Sequence, residues 1–264
     1  MQLIEGDTLT VLKTLKDNSI DLGVTSPPYN KGMVGSDKSI FGPIKYDVHK
    51  DNLNEEEYQQ QQIEVLNELF RVIKAGGSFF YNHKLRYKNG TFITPLDWLR
   101  KSKWTIRQEI TWDRNVGTEI SGYRFYQVDE KIYWLYKPIG NKVCGERLLG
   151  KHARLKSVWR FPPDNRNKHP APFPMTLPLR CILSILDIKG GTVIDPYHGS
   201  GSTAIACKLL NKEYIGIDIS KKYLKESRKR IDNYEYAEEE LIKELRQHIV
   251  TKSYKDRKKE KNER

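Results

Sequence analysis

Two hydrophobic periods alternate along the chain. Runs apolar at every or every second residue predict strands, and apolar residues three and four apart predict helices. "QLIE" is a short strand ending at Gly6-Asp7. "TLTVLKTLK" follows with helical spacing, with Asp7 or Thr8 at the capping position. "IDLGVT" is a second strand, stopped by Pro27 and Pro28. Residues 31 to 53 carry three glycines and little periodicity, as expected of a long loop. Residues 55 to 74 predict an amphipathic helix ending at Ala75-Gly76-Gly77, and "SFFYN" predicts a strand. A short helix over 94 to 102 is followed by the strands "WTIRQEITW" and "EKIYWLYKP". Residues 139 to 173 show neither period.

The remaining pattern is regular. "MTLPLRCILSILDI" predicts a helix with an early Pro178, and "TVIDP" a continuously apolar strand of the kind buried in a parallel sheet. "GSGSTAIACKLL" is a glycine turn feeding a helix, "EYIGIDIS" a strand and "KKYLKESRKRI" a helix. This alternation predicts an α/β fold, a mostly parallel sheet with helices on both faces. No internal repeat is present and no linker is clean enough to divide the chain, so 264 residues predict one large domain. Ligands of such sheets sit beyond the carboxyl ends of the strands. Four strand ends carry polar segments: Asp7, "SPPY" (residues 26 to 29), "DPYHGSG" (residues 195 to 201) and Asp218. Their shared placement predicts one crevice.

Charge narrows the partners. The chain has 46 Lys and Arg against 34 Asp and Glu, a net +12, which favours a polyanion such as nucleic acid. Part of the surplus lies in the tail "KSYKDRKKEKNER", read as solvated, but residues 142 to 168 are basic as well. Cys144, Cys181 and Cys207 are scattered, odd in number and without CxxC spacing, which argues against a disulfide framework or a zinc site. The N-terminus has no signal-peptide pattern, and no apolar run is long enough to span a bilayer. The expectation is a cytoplasmic protein with no membrane partner.

Each polar segment suits one kind of contact. Gly199 and Gly201 allow a tight turn and close backbone approach, followed by the free N–H groups of a helix start. Asp195 beside them can accept from a ligand amine or an ordered water. Asp218 is placed for a ribose diol or for a helix cap, and Asp7 for an adenine amino group or a cap. Pro27 and Pro28 lock a corner at which the Ser26 hydroxyl and the Pro27 carbonyl can accept from one amino group, while Tyr29 offers a flat face to a planar base.

These motifs, in this order, resemble the amino-group DNA methyltransferases of the permuted (beta) class, which use S-adenosylmethionine. In that family an (S/D/N)PP(Y/F/W) motif precedes a DPFxGSGTT-like motif; here "TSPPY" precedes "DPYHGSGST". "HPAPFP" (residues 169 to 174) is similar to the family's HPTQKP-type segment, departing from it at Ala171 and Phe173. "IEGDTLTVL" and "YIGIDIS" match two further cofactor segments, so the resemblance spans residues 2 to 232. It implies a Rossmann-like class I methyltransferase fold. Asp195, Pro196, Gly199 and Gly201 would hold the methionine end of the cofactor, Asp218 the ribose and Asp7 the adenine. Ser26, Pro27, Pro28 and Tyr29 would hold a base flipped from double-stranded DNA. No metal is implied.

Within the family SPPY, and TSPPY above all, is usual for cytosine N4 and DPPY for adenine N6, so cytosine is the first expectation and adenine the alternative. The resemblance further implies catalytic residues in 1 to 113, a target-recognition region at 114 to 168 and cofactor residues in 169 to 235 of the same domain. A C-terminal helix and basic tail would occupy 236 to 264. Arg124, Arg154, Lys156 and Arg160 are the expected DNA contacts. The short recognition region leaves room for a homodimer, and a cognate restriction endonuclease is a further expected partner in a bacterial, archaeal or phage-encoded system. Two other classes stay open: an RNA or protein amine methyltransferase, against which the motif order speaks, and an inactive DNA-binding subunit, against which retention of both motifs speaks.

Overall fold

One eight-stranded sheet organises the computed structural model, in the order β1-β10-β9-β2-β3-β7-β6-β8. The structure describes residues 1–31, 46–48, 51–88, 90–117, 123–140, 155–164, 167, 169–186, 190–234 and 237–248. The strands are β1 (Gln2–Glu5), β2 (Ile20–Thr25), β3 (Ile73–His83), β6 (Thr105–Asp113), β7 (Asp129–Tyr136), β8 (Val158–Arg160), β9 (Thr192–Asp195) and β10 (Glu213–Asp218). Strands β4 (Arg86–Lys88) and β5 (Thr91–Ile93) form a separate hairpin. Every pair from β1 through β10, β9 and β2 to β3 is parallel, and β7 alone runs against its neighbours β3 and β6. The expected α/β sheet is therefore present. Strand β2 lies directly beside β9, Gly23 opposite Ile194, so the two motif-bearing parts of the chain meet at the centre.

Period-two alternation sends successive side chains to opposite faces. In β3, Phe79 and Tyr81 face α1 (Thr8–Thr14), α2 (Glu55–Val72) and α3 (Leu96–Leu99), while Phe80 joins the opposite core. That second core takes its helical residues from α4 (Thr176–Ile185), α5 (Ser202–Leu209), α6 (Lys221–Asp232) and α7 (Ala237–His248). Helix α7 is tied down by a buried bidentate pair, Arg180 to Glu244 at 2.7 and 2.8 Å.

The glycine pair after α2 behaves differently from the sequence expectation. The helix stops at Val72, and Gly76 and Gly77 lie inside β3 at an irregularity where the register moves from Ile20 opposite Ile73 to Leu22 opposite Ser78. A side chain at Gly77 would meet the Asp21 carbonyl at 2.9 Å, and Gly76 takes a left-handed φ of 83°, so the two glycines serve the irregularity inside the strand and do not end the helix. The hairpin β4–β5 and the edge strand β8 are too short to carry a readable period. No helix among the described residues is long and apolar enough to cross a membrane.

Candidate active site

The four polar segments lie at one edge of the sheet. Parallel pairing puts the ends of β1, β10, β9, β2 and β3 together, and antiparallel β7 adds its beginning to the same edge. The Thr25 hydroxyl, next to Ser26, donates to Asp195 at 2.6 Å and so joins the two motifs directly.

Asp195 is fully enclosed, with 0 % exposure. Its carboxylate accepts from Thr25, from the Thr203 hydroxyl at 2.7 Å and from the Tyr197 N–H at 3.1 Å. Burial pushes its pKa up to about 6, with the three donors pulling the other way. The sequence reading aimed this side chain at a ligand; in the structure it is turned inward and fastens the loop to β2 and α5. His198, also enclosed, completes that fastening. Ser227 donates to the Leu224 carbonyl, so it accepts from His198 Nε2–H at 2.7 Å, and His198 Nδ1 accepts from the Tyr214 hydroxyl at 2.7 Å. Burial holds the His198 pKa down at about 3. A Cβ on Gly216 would sit 2.6 Å from Nδ1, so the glycine of "YIGID" makes room for this ring.

Gly199 and Gly201 have φ of 52° and 82°, in the left-handed region, and the helix cap at Gly201 carries no side-chain bond. Asp218 accepts from the Gly199 N–H and the Ser220 N–H, both at 2.8 Å, while Ser220 caps α6. Asp7 is exposed and caps α1 through Thr10, so its capping reading holds in the structure. His169 of "HPAPFP" packs on Tyr223, ring centroids 4.6 Å apart, and stands over Gly199.

At the end of β2 the Tyr29 hydroxyl lies 2.7 Å from Ser26 Oγ, 2.9 Å from Glu130 Oε2 and 3.1 Å from Asn82 Oδ1. The His83 ring packs on Tyr29, centroids 4.4 Å apart with the planes tilted by 35°. The Tyr58 hydroxyl lies 2.8 Å from both the Pro28 carbonyl and His83 Nε2; the amine expectation concerns the Pro27 carbonyl. Asn30 follows at φ 51° with its Oδ1 buried and, among the described residues, unpartnered. Asn82, His83, Arg114 and Glu130 were not singled out from the sequence. Glu130 heads "EKIYWLYKP", but only the antiparallel direction of β7 brings it here.

Of the basic residues, Arg124 lies over the Tyr87 ring at 4.5 Å between Tyr123 and Phe125, which are 100 % and 97 % exposed. Lys156 is exposed, and Arg160 projects from β8 and donates to Asp113 at 3.1 Å. Arg154 and Cys144 lie outside the described residues.

The N6/N4 methyltransferase family model, described as DNA methylase, matches residues 20–229. The chain belongs to this DNA methylase family. The methylase is similar to the type II methyltransferase M.HpaI of Haemophilus parainfluenzae, 28 % identical over 88 % of this chain and 74 % of that one. It is 27 % identical to the DNA adenine methyltransferase YhdJ of Escherichia coli over 91 % and 86 %. In fold it matches the cytosine-N4-specific PvuII DNA methyltransferase at a TM-score of 0.67 and 17 % identity, covering 93 % and 92 %. The Thermus thermophilus modification methylase TTHA0409, solved with S-adenosylmethionine, matches at 0.63 and 22 %, covering 91 % and 95 %. The methylase therefore has the class I methyltransferase fold and uses S-adenosylmethionine as its cofactor. The residues present fit that group: Gly199 and Gly201 shape the turn while giving their own N–H groups to Asp218 and the His198 carbonyl, and the start of α5, which has no side-chain cap, offers backbone N–H groups to a carboxylate.

Proposed function

We propose that this methylase is a site-specific enzyme of the permuted TSPPY type that methylates N4 of a cytosine flipped out of double-stranded DNA. The observation that carries the reading is the neutral Ser26 at the end of β2, bonded to Tyr29 and one residue from the Thr25–Asp195 link to the cofactor loop. Adenine N6 is the second reading, favoured by the likeness to an enzyme described as an adenine methyltransferase.

An exocyclic amine is a poor nucleophile because its lone pair is delocalised into the ring. Ser26 Oγ and the Pro27 carbonyl would accept its two N–H bonds, which favours a tetrahedral nitrogen with an available lone pair. Tyr29 would stack on the base, offsetting part of the unstacking cost of about a few kcal/mol. When bound, S-adenosylmethionine supplies a methyl group already activated by its sulfonium. The chain's task is then alignment. Gly199, Gly201 and Pro196 would hold the methionine end, with Asp195 bracing their loop from behind; Asp218 would hold the ribose and Asp7 the adenine. A neutral Ser26 is too weak a base to take the proton, which leaves after transfer.

Arg124, Arg154, Lys156 and Arg160 would contact DNA from residues 114 to 168, with 1 to 113 and 169 to 235 forming the catalytic domain. A cytoplasmic setting, a second copy of the chain and a cognate restriction endonuclease belong to this reading. Incubation of DNA with methyl-labelled S-adenosylmethionine and nucleoside analysis tests it. N4-methylcytosine is expected, N6-methyladenine selects the second reading, and unlabelled DNA overturns both.

A further inference from the structure

Three acceptor-capable groups surround the single proton of the Tyr29 hydroxyl. Two of them only accept. The Glu130 carboxylate binds Tyr29 through Oε2 at 2.9 Å, while its Oε1 takes the Arg114 guanidinium at 2.9 Å. The Asn82 amide is oriented by its Nδ2, which donates to the Lys131 carbonyl at 3.1 Å, so its Oδ1 faces Tyr29. The tyrosine proton therefore belongs to the Glu130–Asn82 side. The third contact, Tyr29 to Ser26 at 2.7 Å, must then run the other way, with the Ser26 hydroxyl donating and the tyrosine oxygen accepting.

We propose that Glu130, held by Arg114, is a positioning residue that fixes the polarity of this chain. It turns the Ser26 proton inward and leaves the serine lone pairs for the target amine. This rests on the reading of Ser26 given under Proposed function. The polarity matters because a serine free to rotate can donate its proton to the amine nitrogen. That bond engages the lone pair needed for attack. Glutamine at position 130 places a donor where only acceptors stood, so the tyrosine proton can swing to Ser26 and reverse the chain.

Single-turnover methylation of DNA tests the proposal. Glu130→Gln lowers the rate on the order of 100-fold, the scale of a disturbed alignment, while the dissociation constants for DNA and S-adenosylmethionine stay at wild-type values. Tyr29→Phe, which keeps the ring and does not depend on the stability of the Arg114 pair, gives a similar loss, and the double variant loses no more than either. In a Ser26→Ala background, Glu130→Gln has no further effect, because there is no hydroxyl left to orient; a purely structural role would act in both backgrounds. An active wild type whose rate survives both Glu130→Gln and Tyr29→Phe, or equal fold-losses with and without Ser26, overturns the inference alone. A folded wild type that transfers no methyl to DNA overturns it together with the reading beneath it.

Discussion

Replacing Asp195 by asparagine separates the charge of this residue from its shape. The carboxylate is fully enclosed, and burial raises its pKa from an ordinary 3.8 to about 6. A rise of that size corresponds to about 3 kcal/mol, at about 1.36 kcal/mol per pKa unit. Between the unfolded and folded values the native state binds more protons than the unfolded chain, so stability falls as pH rises through that window. The contribution is fully present well below about pH 4 and gone above about pH 6 to 7. Asparagine cannot ionise, keeps one carbonyl for Thr25 and the Tyr197 N–H, and can donate to the Thr203 hydroxyl. The assay is urea unfolding of both proteins without cofactor from pH 4 to pH 7.5. The wild type should lose about 2.4 kcal/mol relative to Asp195→Asn across that range, the rest being lost below pH 4. A stability difference independent of pH would refute the reasoning, since it would mean that Asp195 titrates alike in both states. Asp195→Ala is a different perturbation: it strands three buried donors, each at about 1–3 kcal/mol, and should destabilise the fold at every pH.

Glu244→Ala should cost about 3–5 kcal/mol in urea unfolding, because it leaves the buried Arg180 guanidinium against Trp159 and Phe161 without its bidentate partner. Replacing both partners together with apolar residues, Arg180→Met with Glu244→Leu, should cost less than the single change. DNA affinity should fall steeply with salt, log K dropping by about 0.9 for each neutralised phosphate per unit of log salt. Lys156→Ala with Arg160→Ala should shallow that slope by about one for each phosphate that is no longer neutralised; a wild-type slope near zero would remove the phosphate-tracking surface.

How much of this was legible in the sequence depends on whether the signal is local. The apolar runs of β2, β9 and β10 carry their own period and end at their own turn residues, so the strands and the shared edge at which their polar segments meet could be placed from sequence alone. Gly76-Gly77 misled because a glycine pair after a helix has the same local chemistry whether it caps the helix or lets two strands approach; only the Asp21 carbonyl opposite Gly77 distinguishes them. The side-chain directions at the crevice were harder still. "DPYHGSG" put Asp195 at the right strand end, but facing a ligand or facing Thr203 is a choice of rotamer, and the sequence contains the second partner without saying that it is one. The Tyr29 hydroxyl received no role from the sequence, where only the flat ring argued for itself. Its partners Asn82 and Glu130 come from two other strands. Glu130 reaches it only because β7 runs antiparallel, which delivers the beginning of that strand to the edge where its neighbours end. A parallel β7 would have placed the same glutamate at the opposite edge of the sheet, among the turns far from Ser26. The polarity proposed for the Ser26 hydroxyl thus hangs on the direction of one strand, a property of chain topology that no stretch of residues around either group encodes.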